Sequence, residues 1–148
     1  MEEHIKNCQV LLGALRALHV AHQTAHWQAE GPTFYGDHLL FERLYTPLPD
    51  EFDALAEKMV SLFDKDAVDA MTIMEKTVEV LKRFDAAPAV ERALDMERAL
   101  QVTLKSVRAS LQKANVLSMG MDNFLQGLSD SHETAVYLLQ QTLRHPAG

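Results

Sequence analysis

HWQAEGPTFYGDHLLFERLYTPLPDEFDALAEK, residues 26–58, is the stretch on which the reading of this chain turns. It carries His26, His38, Glu42, Asp53 and Glu57 at helical spacings, with Pro47 and Pro49 between the last two and the rest. His38 and Glu42 stand four residues apart and share one helix face, as do Asp53 and Glu57. Imidazoles and carboxylates together suit Fe(II), Mn(II) or Zn(II) rather than Ca²⁺ or Mg²⁺ alone. Singly the signals are weak. A helical histidine such as His22 or His26 is usually a core or interface residue, Asp53 and Glu57 alone read as solvated, and Trp27 and Tyr45 read as packing residues. The combination carries the information.

Distance sets how the five could meet. His26 ends one helix and His38 opens the next across the Gly31–Pro32 turn, so antiparallel pairing brings these two close. His38 and Asp53 lie about 22 Å apart along a helix at about 1.5 Å per residue, which no metal spans. Either the chain folds back at Pro47–Pro49, or a two-fold axis brings Asp53 and Glu57 of a second chain to His26, His38 and Glu42 of the first. Few residues separate Glu42 from Asp53, so the shared arrangement is favoured.

Outward from this stretch the apolar spacing is helical throughout. Cys8, Leu11, Leu12, Leu15 and Leu18 form a stripe that His22 and His26 continue, predicting a helix over about 3–29. A second helix over about 33–65 presents Phe34, His38, Phe41 and Tyr45, then Phe52, Ala56, Val60 and Phe63, with Asp53 and Glu57 bordering that stripe. Each proline removes a helical hydrogen bond, yet Pro49-Asp50-Glu51 reads as a helix start. The second helix is therefore kinked, or broken and restarted, near residues 46–49. A short helix over 66–84 (Ile73, Val80, Leu81, Phe84) ends at Ala86-Ala87-Pro88. A third long helix carries Val90, Ala93, Glu97, Leu100, Leu104, Val107 and Leu111. Gly120 punctuates before a fourth with Phe124, Leu128, Ala135, Leu138 and Thr142. The expectation is one all-α domain over 1–148, a four-helix bundle with a short helix between its second and third long helices.

Composition agrees. Of 148 residues, 47% are hydrophobic and 24% charged, ordinary for a globular domain with a real core. No apolar run reaches the ~18 residues of a membrane span, and Gly13 and Arg16 interrupt anything resembling a secretory core. A lone Cys8 excludes an internal disulfide and suits a reducing cytoplasm. The net charge of −7 disfavours non-specific nucleic-acid binding and suits attraction of cations.

The pattern HWxxxGPxFYxxHxxFExLY followed by EFDALAEK resembles the Dps family, DNA-binding proteins from starved cells, a mini-ferritin branch of the ferritin-like superfamily. The likeness is strongest over residues 26–58, and the helix layout extends it. It implies a ferroxidase centre at a two-fold subunit interface, with His26, His38 and Glu42 from one chain and Asp53 and Glu57 from its neighbour as metal ligands and catalytic residues. Glu42 stands where the family commonly has Asp. It further implies iron as Fe(II)/Fe(III), hydrogen peroxide or dioxygen as oxidant, a hollow dodecamer built from two-fold dimers, and protection against oxidative damage in the cytoplasm. Two features depart from the pattern. Pro47 and Pro49 interrupt what the family builds as one helix, and neither MEEHIKNCQ nor the C-terminal RHPAG is a long basic arm of the kind that condenses DNA. The alternatives are a DNA-compacting protein and a helical assembly whose prolines have displaced Asp53 and Glu57. A ferritin-type site inside one bundle lacks its second Glu-x-x-His pair, because Ser129 stands three before His132. Glu97 and His132 then read as interface or supporting residues, and His22 as a possible support for His26.

Overall fold

Helix α1 (Glu3–Gln28) carries a long apolar stripe, and four of the other helices pack against it. In the computed structural model, which describes residues 1–144, it is followed by α2 (Phe34–Tyr45), α3 (Leu48–Phe63), α4 (Ala70–Arg83), α5 (Ala89–Lys113) and α6 (Met119–Leu143). Among the described residues there is no strand, and no helix is long and apolar enough to cross a membrane. Of the RHPAG end, residues 145–148 lie outside the described residues. α1, the bent α2–α3 pair, α5 and α6 make the four arms of the bundle, and α4 lies across α1. The all-α bundle with a kinked second helix is thus the architecture the spacing predicts.

The bend is local. Thr46 (φ −55°, ψ −43°) and Pro47 (φ −78°, ψ −14°) both keep helical dihedrals, although each precedes or is a proline. The usual aversion of a pre-proline residue to the α region is overridden. Thr46 N–H still reaches the Glu42 carbonyl at 3.1 Å, and Glu51 N–H reaches that of Pro47 at 3.3 Å. The chain therefore bends and continues. It does not turn back.

Three expectations need correction. The third element begins with a one-turn 3-10 helix (Lys65–Ala67), and α4 starts at Ala70 because the Asp69 carboxylate caps Thr72 N–H at 2.9 Å. Gly120 does not punctuate: it lies in the first turn of α6, whose start is capped by Ser118. The break falls earlier, where α5 ends in a left-handed Asn115 (φ 60°) and Val116 N–H bonds to the Leu111 carbonyl. Finally, the buried face of α3 is Leu48, Leu55 and Met59, not one that includes Val60. Phe52 and Ala56 are only partly buried, and Asp53, Glu57 and Val60 are exposed on the far side from Leu55. On α6, Thr142 is likewise exposed.

The main core joins Leu11, Leu15 and Leu18 of α1 to Leu48, Leu55 and Met59 of α3, Leu100 and Leu111 of α5, and Leu125 of α6. Burying each such side chain contributes about 1.5–3 kcal/mol. Cys8 has no exposure, and burial pushes its thiol up to about 12. A smaller cluster seats Phe41 and Leu44 of α2 against Ala93, Leu94, Ala135 and Leu139. Gly13 permits α4 to cross close against α1. A Cβ there would stand 2.9 Å from the Lys76 carbonyl carbon and 3.0 Å from Thr77 N, in the α4 backbone.

Through this apolar interior runs a line of ionisable groups, one from each arm. Glu97 of α5, with no exposure, accepts from His22 Nε2–H at 3.0 Å and from His132 Nδ1–H at 2.6 Å. His132 of α6, 4% exposed, donates its other proton from Nε2 to Glu51 of α3 at 2.8 Å. Burial alone would neutralise both central groups, but the hydrogen bonds win. Those from His132 and His22 hold the Glu97 carboxyl down at about 2, and those to Glu51 and Glu97 hold the His132 imidazole up at about 10. Among the described residues no buried side-chain polar atom lacks a partner.

Three outcomes are expected. Gly13→Ala forces α4 off α1 and destabilises by roughly 1–3 kcal/mol, read as a lower urea midpoint. His132→Ala strands Glu97 in the core and costs roughly 3–5 kcal/mol. The pH dependence has two limbs. His132 has a raised folded value, so its contribution is full below its ordinary 6.5 and is lost as pH rises through about 10. Glu97 has a lowered one, so its contribution is full above its ordinary 4.5 and is lost as pH falls through about 2. Urea midpoints across pH should therefore fall on both sides of a window of 4.5–6.5, and His132→Gln should flatten the alkaline limb.

Candidate metal centre

α1 ends at Gln28, and Gly31 takes the left-handed conformation (φ 84°) that lets the chain reverse before α2. Phe34 N–H bonds back to the Gly31 carbonyl at 3.0 Å, and Thr33 Oγ1 donates to the Asp37 carboxylate at 2.9 Å, fixing the first turn of α2. This places His38, one turn in, directly opposite His26 in the last turn of α1. Their rings stack at 3.7 Å between centroids and 17° between planes.

The two histidines clasp each other's backbone. His26 Nδ1–H donates to the His38 carbonyl at 2.7 Å, and His38 Nδ1–H donates to the His26 carbonyl at 2.8 Å. A carbonyl only accepts, so each Nδ1 must carry the proton and a neutral ring keeps its lone pair on Nε2. Nothing else hydrogen-bonds either Nε2 among the described residues. Phe34 stacks on His38 at 4.9 Å, and Tyr45 meets His26 edge-on at 5.3 Å. Tautomer and ring orientation are thus both fixed by the fold, the device by which proteins prepare metal-binding imidazoles.

The rest of the expected set lies apart. Glu42 is exposed one turn beyond His38, and Asp53 and Glu57 are exposed together on α3, past the bend. Among the described residues no three His, Cys, Asp or Glu side chains are placed to hold one ion. A single chain brings the two histidines together and does not bring Asp53 and Glu57 to them. Because the chain continues forward through Thr46 and Pro47, the fold-back arrangement is ruled out.

Other expected roles change. Trp27 is 66% exposed rather than packed, since it faces outward beside His26 at the helix end. Tyr45 does pack, on His19 and His26. His22 bonds to Glu97, not to His26. Glu97 and His132 lie in the core of the bundle rather than at an interface. Glu51 was missed as more than an acid at a helix start, although it falls on the stripe of Leu48, Leu55 and Met59 where a charge demands a partner.

No protein-family model matches the chain, and no curated protein is significantly similar to it. Solved structures are. Dps from Thermosynechococcus elongatus superposes with a TM-score of 0.83 at 18% identity, covering 99% of this chain and 94% of that one. DpsC from Streptomyces coelicolor gives 0.82 at 20% identity over 98% and 86% of the two chains. A Dps protein from Vibrio cholerae O1, described as a member of a broad superfamily of ferritin-like diiron-carboxylate proteins, gives 0.80 at 17% over 96% and 89%. Matches of this length, over a bundle that is bent in its second arm and crossed by a short helix, establish that the chain has the ferritin-like four-helix-bundle fold of these Dps proteins.

Proposed function

We propose that this chain is an iron-oxidising and iron-storing mini-ferritin, a ferroxidase that takes Fe(II) as substrate and hydrogen peroxide, or less readily dioxygen, as oxidant. The observation that carries the reading is the reciprocal clasp of His26 and His38, which holds two stacked imidazoles with Nε2 free. The ferritin-like fold supports it, as does the donor set, in which neutral imidazole and carboxylate suit iron. On this reading Fe(II) is held by His26, His38 and Glu42 of one protomer with Asp53 and Glu57 of the partner subunit. The exposure of Asp53, Glu57 and Val60 along one face of α3 leaves that face open to a second protomer. Two-fold dimers would assemble into a dodecameric shell that stores ferric mineral, in the cytoplasm.

The residues serve the chemistry in distinct ways. The clasp sets the tautomer of the neutral ring and the direction of Nε2, and the carboxylates supply negative charge that favours Fe(III) over Fe(II). Two ferrous ions each give one electron to hydrogen peroxide. Its O–O bond breaks, and two protons complete two waters. Delivering both electrons together avoids release of hydroxyl radical, which is the protective function.

The test is an anaerobic Fe(II) titration followed by stoichiometric peroxide, with ferric absorbance and assembly mass recorded on one sample. Fast oxidation that saturates at a small whole number of irons per chain, in a large shell, is the expected result. Asp53→Ala with Glu57→Ala should lower the fast rate at least about tenfold while the assembly stays folded. Rapid oxidation surviving in that double variant rules out the shared site. A low-salt gel shift without added divalent metal tests the DNA-compacting alternative, and the net charge of −7 predicts no shift.

A further inference from the structure

The proline break poses a mechanical problem that the buried ion-pair line answers. Pro47 and Pro49 contribute no backbone N–H, so the hydrogen-bond ladder that would make α3 a stiff continuation of α2 is interrupted there. Something else must set the rotation of α3 about its own axis. Apolar contacts at Leu48, Leu55 and Met59 bury one side but tolerate small rotations, because such contacts are not directional. The Glu51–His132 bond is directional, and among the described residues it is the only hydrogen bond from α3 to α6.

We propose that Glu51, held by His132 and through it by Glu97, is a positioning residue for Asp53 and Glu57. The geometry is simple. Successive helical residues are turned by about 100°, so Asp53 sits about 200° and Glu57 about 240° around the axis from Glu51. Drawing Glu51 into the core, at 2.8 Å from His132 Nε2, therefore turns Asp53 and Glu57 outward, where both are exposed. Rotating α3 by one residue would withdraw the Glu51 carboxylate and leave the second N–H of His132 unpaired beside the core. The line runs on through Glu97 to His22 of α1, one turn before His26. It thus ties the helix that bears one half of the site to the helix that bears the other. Fixing orientation in this way is a role that buried polar groups can serve when apolar packing alone does not specify it.

This inference rests on the shared-site reading, and the experiment separates the two. The probe is Co(II), titrated anaerobically into the assembled protein, with affinity and the visible ligand-field spectrum as readouts. Glu51 is partly exposed, so Glu51→Ala should still fold, and the assembly mass and melting curve check that it does. Glu51→Ala should weaken Co(II) binding roughly tenfold and shift the spectrum toward that of Asp53→Ala with Glu57→Ala. Glu51→Gln, which keeps an acceptor for His132 Nε2–H, should restore most of the affinity. In the background that already lacks Asp53 and Glu57, Glu51→Ala should have no further effect, because it acts only through them.

A purely structural role for Glu51 would lower binding equally in both backgrounds and leave the spectrum unchanged. That result, or undiminished Co(II) affinity in Glu51→Ala, overturns the positioning role while the shared site stands. Undiminished affinity after loss of Asp53 and Glu57 themselves overturns both.

Discussion

A carboxylate with no exposure to solvent is the constraint around which this bundle is arranged. Glu97 can remain charged in an apolar interior only if donors reach both its oxygens, and His22 and His132 do so from two other helices. His132 then has a second N–H to satisfy, and among the described residues only Glu51, on the remaining arm, meets it. Each partner brings in the next until all four arms are joined. Breaking the line at its buried centre is costly, because the group left behind is buried and charged. Apolar packing supplies most of the stability. The ionic line adds directional contacts that join the arms.

Histidine serves two opposite ends within a short stretch of α1. His22 commits its Nε2 to Glu97, closing an internal network in which His132 of α6 commits both its nitrogens. One turn on, His26 and His38 spend only Nδ1 and spend it on backbone carbonyls, so the clasp holds without using the nitrogen that a metal would need. A backbone partner also means that the arrangement does not depend on a third side chain. The nitrogens that hold the fold and those left without a hydrogen bond are different ones.

Much of this was legible in the sequence because it depends on local rules. Helical periodicity located the long helices, the Gly31–Pro32 turn brought His26 to His38, and two prolines bent the second arm without ending it. What was not legible depends on packing between elements. On α3 the stripe of Phe52, Ala56 and Val60 lies one residue from that of Leu48, Leu55 and Met59, and only the neighbouring helices decide which one is buried. Gly120 looked like a break, but a serine cap at 118 and a left-handed asparagine at 115 made the break earlier. Glu51 looked like a favourable acid at a helix N-terminus, which it also is. Its larger role needed His132, 81 residues away. The clasp itself was beyond spacing rules: proximity of the two rings could be inferred, but their exchange of backbone hydrogen bonds could not.

The placement of sulfur bears on how such a chain withstands oxidants. The nucleophile that peroxide attacks is thiolate, and the single thiol, Cys8, sits without exposure among leucines with its ionisation pushed up to about 12. At neutral pH it is almost wholly protonated and out of reach, so the chain offers no sulfenic acid, no mixed disulfide and no cross-link between copies. The sulfur that meets solvent is thioether, at Met1, Met71, Met74 and Met119. Oxidation there gives sulfoxides on the surface, which reductases can reverse and which leave the core untouched. Oxidative wear is thereby confined to the positions where it is repairable.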